Sequence, residues 1–213
     1  MNEHKGPLGF YNYTVILTYI GMWFGLCGIM FTMNGNLNIA LICLMLAGVC
    51  DMFDGGIAAT KKDRTRDERI FGIQIDSLSD LICFGVLPAG IIFSLSGEMD
   101  FLVIIPCIFV LGGLIRLAFF NVDEANRQDR EAGSRAFYLG LPITSSALAV
   151  PAVLEAGYIW SIPSYEVGLV VLLVIGVLYI TPFKLKKPHL AGKMVLVAFG
   201  AVEFVYLIYY MVK

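Results

Sequence analysis

The stretch CDMFDGGIAATKKDRTRDERIFGIQIDSLSD, from Cys50 to Asp80, places four aspartates in segments that are otherwise apolar. These aspartates are Asp51, Asp54, Asp76 and Asp80. A charged side chain at the centre of a transmembrane helix costs roughly 2.5 to 3.5 kcal/mol on insertion scales. Inside a membrane, this placement therefore needs a compensating interaction, and the rest of the sequence indicates that the membrane is the right setting.

The composition is that of an integral membrane protein. Of the 213 residues, 58% are hydrophobic and 15% are charged, and the mean hydropathy is +0.79. Most of the seven apolar runs are long enough to cross a hydrocarbon core of about 30 Å. The runs are Tyr13–Phe31, Leu37–Ala59, Ile70–Leu95, Phe101–Phe120, Phe137–Gly157, Val167–Ile180 and Leu190–Met211. We predict an all-α polytopic transmembrane helical bundle of about seven spans (six to eight), with residues 1–213 forming one membrane-embedded domain.

Basic residues fall on one side of this predicted bundle. When the loops are assigned alternately to the two sides, fourteen of the fifteen basic residues share the side of the N-terminus, and Lys213 is left opposite. Lysine and arginine are enriched in cytoplasmic loops, so we expect a cell-membrane protein whose N-terminus is cytoplasmic. Such loops attract anionic membrane lipids, and the chain has no basic, aromatic-interleaved soluble region that would bind nucleic acid.

The spacing of the four aspartates predicts that they converge. The first two are three residues apart and the last two are four apart, which puts each pair on one face of its helix. The loop Thr60–Arg69 reverses the chain, so the two helices are antiparallel neighbours. At a rise of about 1.5 Å per residue, Asp54 and Asp76 lie roughly 10 Å inside the cytoplasmic end, with Asp51 and Asp80 about 5 Å deeper.

Four carboxylates at this distance cannot all remain ionised unless protons or cations lie between them. The sequence offers oxygen ligands here, without Cys or His nearby, which favours Mg²⁺, Mn²⁺ or Ca²⁺ over Zn²⁺. Two divalent cations about 3.5 to 4 Å apart would balance the four charges and assist a phosphoryl displacement. The site is therefore expected to face the cytoplasm and to act on a phosphate ester.

Glycines accompany the aspartates and would leave room for a ligand. Gly55 directly follows Asp54, and Gly72 lies four residues before Asp76 on the same helical face. A glycine inside a helix costs about 1 kcal/mol relative to alanine, so its small size needs a reason. Here we expect room for a flat or diphosphate ligand, whereas the pair Gly21 and Gly25 forms G-x-x-x-G and predicts close helix packing.

The pattern D-x-x-D-G-x-x-A, followed by G-x-x-x-D-x-x-x-D, resembles the signature of the CDP-alcohol phosphotransferase family of membrane enzymes. Three further segments resemble the branch of that family that uses serine: FGIQIDSLSDLICFGVLPAG (Phe71–Gly90), RLAFFNV (Arg116–Val122) and YLGLPIT (Tyr138–Thr144). The resemblance implies transfer of a phosphatidyl group from CDP-diacylglycerol to the hydroxyl of L-serine, with release of CMP. It also implies a homodimer.

The resemblance carries residue roles with it. Two divalent cations, Mg²⁺ or Mn²⁺ with Ca²⁺ as a non-activating occupant, would be held by Asp51, Asp54, Asp76 and Asp80. Asp80 would also accept the proton of the acceptor hydroxyl, as the catalytic residue. The cytidine diphosphate moiety would be bound by Asp54, Gly55, Ala58 and Gly72. Arg116 and Arg135 are candidates for binding the serine carboxylate or a lipid phosphate, because a guanidinium offers a fork of donors; alternatively, Arg116 is a snorkelling anchor.

One departure from the family pattern leaves alternatives open. The pattern continues Ala-Arg, whereas here Ala58 is followed by Ala59. A cation missing beside a diphosphate pocket would weaken nucleotide binding, so a non-catalytic lipid-binding homologue is one alternative. The same chemistry with glycerol 3-phosphate or an inositol phosphate is another. An ion transporter is disfavoured, because the acids gather toward one side of the membrane with no acidic path across it.

Overall fold

The computed structural model describes residues 8–97, 100–128, 137–186 and 190–212. Seven helices lie in these ranges: α1 (Tyr13–Met33), α2 (Leu37–Ala58), α3 (Arg66–Leu95), α4 (Ile104–Gln128), α5 (Ser146–Ile159), α6 (Ser164–Ile180) and α7 (Leu190–Val212). Within the described ranges, four helical stretches are long and apolar enough to cross a membrane, and shorter apolar helices accompany them. The predicted all-α polytopic class is therefore confirmed.

The predicted fifth span, Phe137–Gly157, is wrong over its first residues. Phe137–Leu139 form a strand, β1, that pairs antiparallel with β2 at Lys184–Lys186. Gly140 then turns the chain with φ of +73°, and a Cβ there would lie 3.2 Å from two backbone oxygens. Pro142 next restricts its predecessor to extended backbone, so a helix cannot begin until the chain has passed it.

Helix α1 packs against its neighbours through a stripe of small residues. Its buried residues are Thr14, Val15, Thr18, Gly21, Gly25, Gly28 and Thr32. A Cβ added at Gly25 would overlap the sulfur of Cys83 in α3, and one added at Gly21 would lie 3.2 Å from the Cβ of Cys50 in α2. The close packing predicted for this pair of glycines is confirmed, and it brings α1 against both aspartate-bearing helices.

Helix α3 begins with a strong cap. The Thr65 hydroxyl accepts a hydrogen bond from the backbone N–H of Glu68, and the Glu68 carboxylate accepts one from the backbone N–H of Thr65. Glu68 also accepts hydrogen bonds from Asn12, which caps α1, and from Lys61 in the preceding loop. This one carboxylate therefore ties together the starts of α1 and α3 and the loop between α2 and α3.

Immediately after Asp80, α3 changes to π-helical geometry over Leu81–Val86. Pro88 follows and has no N–H to donate to the carbonyl of Phe84, four residues earlier. The hydroxyl of Ser146, fully buried at the start of α5, donates to that carbonyl at 2.8 Å instead. The irregular segment thus docks α5 beside the aspartates, and π segments of this kind are frequent at functional sites.

We expect Gly25→Ala to destabilise the bundle, because the added methyl has no space beside Cys83. Overpacking of this kind costs about 1 to 3 kcal/mol. Gly90→Ala is the matched control, since a Cβ there would find its nearest atom, in Thr32, at 4.0 Å. Unfolding of the detergent-solubilised protein, followed by circular dichroism, measures both variants. Equal stability of the two would contradict the packing described for α1.

Candidate active site

The structure brings the four aspartates together where α1, α2 and α3 meet. The side chain of Asp51 lies within hydrogen-bond range of Asp80, and that of Asp54 lies within range of Asp76. One carboxyl oxygen from each of Asp51, Asp76 and Asp80 lies within 4.8 Å of the others. Each aspartate therefore faces the partner at its own depth on the opposite helix.

These carboxylates fit a divalent cation. Oxygen ligands lie about 2.3 to 2.6 Å from Ca²⁺ and about 2.0 to 2.1 Å from Mg²⁺, so two oxygens on one ion are at most about 5 Å apart for Ca²⁺ and about 4 Å apart for Mg²⁺. The oxygens of Asp51, Asp76 and Asp80 lie within 4.8 Å of one another, so the three could hold a metal ion, with a small inward movement for Mg²⁺. Asp54 is buried beside them, with 9% of its surface exposed. A cation would offset the repulsion that this cluster otherwise carries.

Two thiols lie closer to the site than the sequence suggested. Cys50 and Cys83 line the cavity beside the aspartates, so the expectation that no cysteine lies nearby is wrong. Each belongs to the same helical face as an aspartate, four residues before Asp54 and three after Asp80. The Cys83 thiol donates to the carbonyl of Gly21 at 3.5 Å. The Cys83 thiol thus joins α3 to α1. The donors in the cluster remain the carboxylate oxygens of the aspartates, which prefer hard cations.

Helix α1 contributes a residue that the sequence analysis missed. The hydroxyl of Thr18 donates to Oδ2 of Asp54 at 3.2 Å, and both side chains are buried. Thr18 belongs to the stripe of small residues that includes Gly21 and Gly25. A hydroxyl on that stripe has to find a partner on the neighbouring helix, and this is the signal that could have identified it.

The residues expected to bind the nucleotide differ in their surroundings. Gly55 is exposed, and among the described residues no atom lies within 4 Å of the position that a Cβ would take there. Ala58 is half-buried at the end of α2. At Gly72, by contrast, a Cβ would lie 2.5 Å from Nη2 of Arg64. Space is therefore open at Gly55, whereas the space left by Gly72 holds a guanidinium group.

Arg116 lies inside the bundle. Its side chain is 8% exposed, its Nε donates to the carbonyl of Leu141, and its guanidinium lies 5.9 Å from the centre of the Phe120 ring. Because the charged group is buried in the protein, the snorkelling alternative for Arg116 is wrong. The other candidate anion-binding residue, Arg135, lies outside the described residues.

Comparison with known proteins agrees with this geometry. The model of the CDP-alcohol phosphatidyltransferase family matches residues 11–181, which include the aspartates, the flanking loop and α1 to α6. The fold and the sequence thus agree on the class of protein, a polytopic helical membrane protein with an acidic site. The chain belongs to the CDP-alcohol phosphatidyltransferase family.

Several relatives share part of their length with this chain. An archaetidylserine synthase from Methanothermobacter thermautotrophicus is 31% identical over 144 residues, which are 67% of this chain and 58% of the relative. The CDP-diacylglycerol--serine O-phosphatidyltransferase of Saccharomyces cerevisiae is 38% identical over 108 residues, 50% of this chain and 38% of the relative. The enzyme of that name from Methanocaldococcus jannaschii is 31% identical over 156 residues, 72% and 68% respectively. The chain therefore spans less than two thirds of the first two.

We expect Thr18→Val to weaken the binding of Mn²⁺ about tenfold or more, because a residue that orients a metal ligand typically contributes that much. Valine keeps the shape of threonine but cannot donate to Asp54. The affinity can be measured by electron paramagnetic resonance of free Mn²⁺ titrated with the purified protein. Thr32→Val is the control, since that hydroxyl donates to the Gly28 carbonyl in the same buried stripe. An equal loss in both variants would contradict the positioning role of Thr18.

Proposed function

We propose that this protein transfers a phosphatidyl group from CDP-diacylglycerol to the hydroxyl of L-serine, giving phosphatidylserine and CMP. The observation that carries the proposal is the convergence of Asp51, Asp76 and Asp80 within 4.8 Å inside apolar helices, in a chain of this family. Serine appears in the names of all three relatives described above, whereas the lipid that they name differs. Those names favour serine as the acceptor.

The reaction exchanges one bond to phosphorus for another. The serine oxygen forms a bond to the phosphorus of the phosphatidyl group, and the bond from that phosphorus to the oxygen bridging it to CMP breaks. The electron pair of the broken bond leaves with CMP, and the hydroxyl proton passes to a carboxylate. We assign that proton to Asp80, which lies at the deeper end of the aspartate cluster, beside Asp51 and next to the π-helical segment.

In this proposal the other aspartates bind metal ions. Asp51, Asp54 and Asp76, together with Asp80, would hold two divalent cations, Mg²⁺ or Mn²⁺. When bound, such cations supply charge stabilisation at phosphate oxygens and ease deprotonation of a nearby hydroxyl. Thr18 orients Asp54, and the open surface at Gly55 and Ala58 receives the nucleotide. An acceptor alcohol that carries its own phosphate would need additional basic side chains at the mouth of the site.

The test of this proposal is release of CMP by the purified protein in lipid vesicles that contain CDP-diacylglycerol. We expect release to need both L-serine and Mg²⁺ or Mn²⁺, and we expect Ca²⁺ to bind without activating. Glycerol 3-phosphate in place of serine should give no product. Turnover with glycerol 3-phosphate but not with serine would show that serine is not the acceptor. Absence of turnover with every acceptor would favour a non-catalytic lipid-binding protein.

Asp80→Asn tests the proton transfer in the same assay. Loss of a general base typically lowers the rate by about 10² to 10⁴-fold, so we expect a loss in that range. The control is Asp67→Asn, which also removes one negative charge from α3 but at an exposed position in its first turn. Full activity of Asp80→Asn would contradict the assigned base.

We also infer that the site faces the cytoplasm across the cell membrane and that two copies of the chain assemble. The basic loop between α2 and α3 lies at the same end of the bundle as the aspartates, which supports this orientation. In a protein whose exposed Cys107 has been replaced by serine, a cysteine introduced as Lys62→Cys should react with a membrane-impermeant thiol reagent only after cells are permeabilised. If this variant reacts in intact cells, the loop lies outside the cell and the inferred orientation is wrong. A monomer mass in nanodiscs would exclude the homodimer.

A further inference from the structure

The basic residues that connect α2 to α3 do not share one environment. They are Lys61, Lys62, Arg64, Arg66 and Arg69. Nζ of Lys61 lies 2.6 Å from the Glu68 carboxylate, and this hydrogen bond raises the pKa of Lys61 above its ordinary value. Lys61 is therefore a paired cation. Lys62, Arg66 and Arg69 are exposed, whereas Arg64 is half-buried.

Arg64 directs its guanidinium over Gly72. Its Nη2 donates to the backbone carbonyl of Glu68 at 3.2 Å and lies 2.5 Å from the position that a Cβ would take at Gly72. Its Nε is buried and has no hydrogen-bond partner within the part of the chain that the structure describes. A buried charged donor without an acceptor is costly, so an oxygen of a ligand that reached this guanidinium would stabilise it.

The position of this guanidinium relates it to the aspartates. Gly72, Asp76 and Asp80 follow one another at intervals of four residues, so they lie along one face of α3. Gly72 is about 6 Å along the helix axis from Asp76, toward the loop. On α2, the open surface at Gly55 is next to Asp54, whose side chain lies within hydrogen-bond range of Asp76. Arg64 therefore lies on the loop side of the acidic cluster.

We propose that Arg64 binds the diphosphate of the nucleotide in this site. It supplies the positive charge that the family pattern carries directly after Ala58 and that this chain lacks at Ala59. A guanidinium suits this role because its parallel N–H groups match the oxygens of a phosphate. Gly72 then serves the nucleotide pocket indirectly, by leaving space for the arginine. The proposal rests on the proposed function, because it takes a cytidine diphosphate group as the ligand.

The test compares the binding of CDP and of cytidine to the purified protein in Mn²⁺, by isothermal titration calorimetry. We expect Arg64→Gln to weaken CDP binding about tenfold, the usual effect of losing a charged hydrogen bond, and to leave cytidine binding unchanged. Arg66→Gln, which removes the same charge from an exposed position two residues away, should bind both ligands as the native protein does. Adding Ala59→Arg to Arg64→Gln should restore much of the CDP affinity.

A second measurement separates a ligand contact from a structural role. If Arg64 only holds the loop to α3, Arg64→Gln should lower the unfolding temperature and weaken CDP and cytidine equally, and that result would overturn the proposal. Arg64→Lys, which keeps the charge without the fork, should fall between the native protein and Arg64→Gln. Equal CDP affinity of the native protein and Arg64→Gln would also overturn it while leaving the proposed function intact. A native protein that binds no CDP would reject the proposed function itself.

Discussion

The structure depends on four carboxylates held together inside an apolar bundle. Each lies on α2 or α3, and oxygens of Asp51, Asp76 and Asp80 come within 4.8 Å of one another. Like charges at this distance in a low-dielectric interior repel strongly, so the two helices can stay in contact only when cations or protons offset the repulsion. A site built in this way could hold a metal ion, and the proposed chemistry uses the same carboxylates.

The surroundings of the cluster are organised to hold those two helices in place. The small residues of α1 allow close contact with both of them, and Thr18 on the same stripe satisfies an oxygen of Asp54. At the loop end, Glu68 joins Asn12, Lys61 and Thr65. Glu68 pairs with Lys61, whereas the guanidinium of Arg64 lies over Gly72. Anchoring and ligand binding are thus divided between neighbouring basic residues.

The deeper side of the site depends on an irregular helix. The π-helical turn after Asp80 and the missing N–H of Pro88 leave the carbonyl of Phe84 to be satisfied by Ser146 from α5. The α-helical donor to that carbonyl would be the backbone N–H of residue 88, which proline lacks, and the hydroxyl of Ser146 supplies a donor from α5. The same segment therefore ends the row of aspartates and attaches the second half of the bundle. The buried Arg116, bonded to Leu141, adds a further link near the start of α5.

The sequence by itself determined the helical membrane class, the extent of most helices and the convergence of the aspartates, since these follow from hydrophobic run length and helical spacing. Local pattern could not separate strand from helix at Phe137, because that segment is equally apolar in either form and only pairing with Lys186 distinguishes them. The contact of Thr18 with Asp54 and that of Arg64 with Gly72 were decided by the tertiary structure. The first joins residues far apart in sequence, and the direction of a loop side chain depends on the helices that close around it.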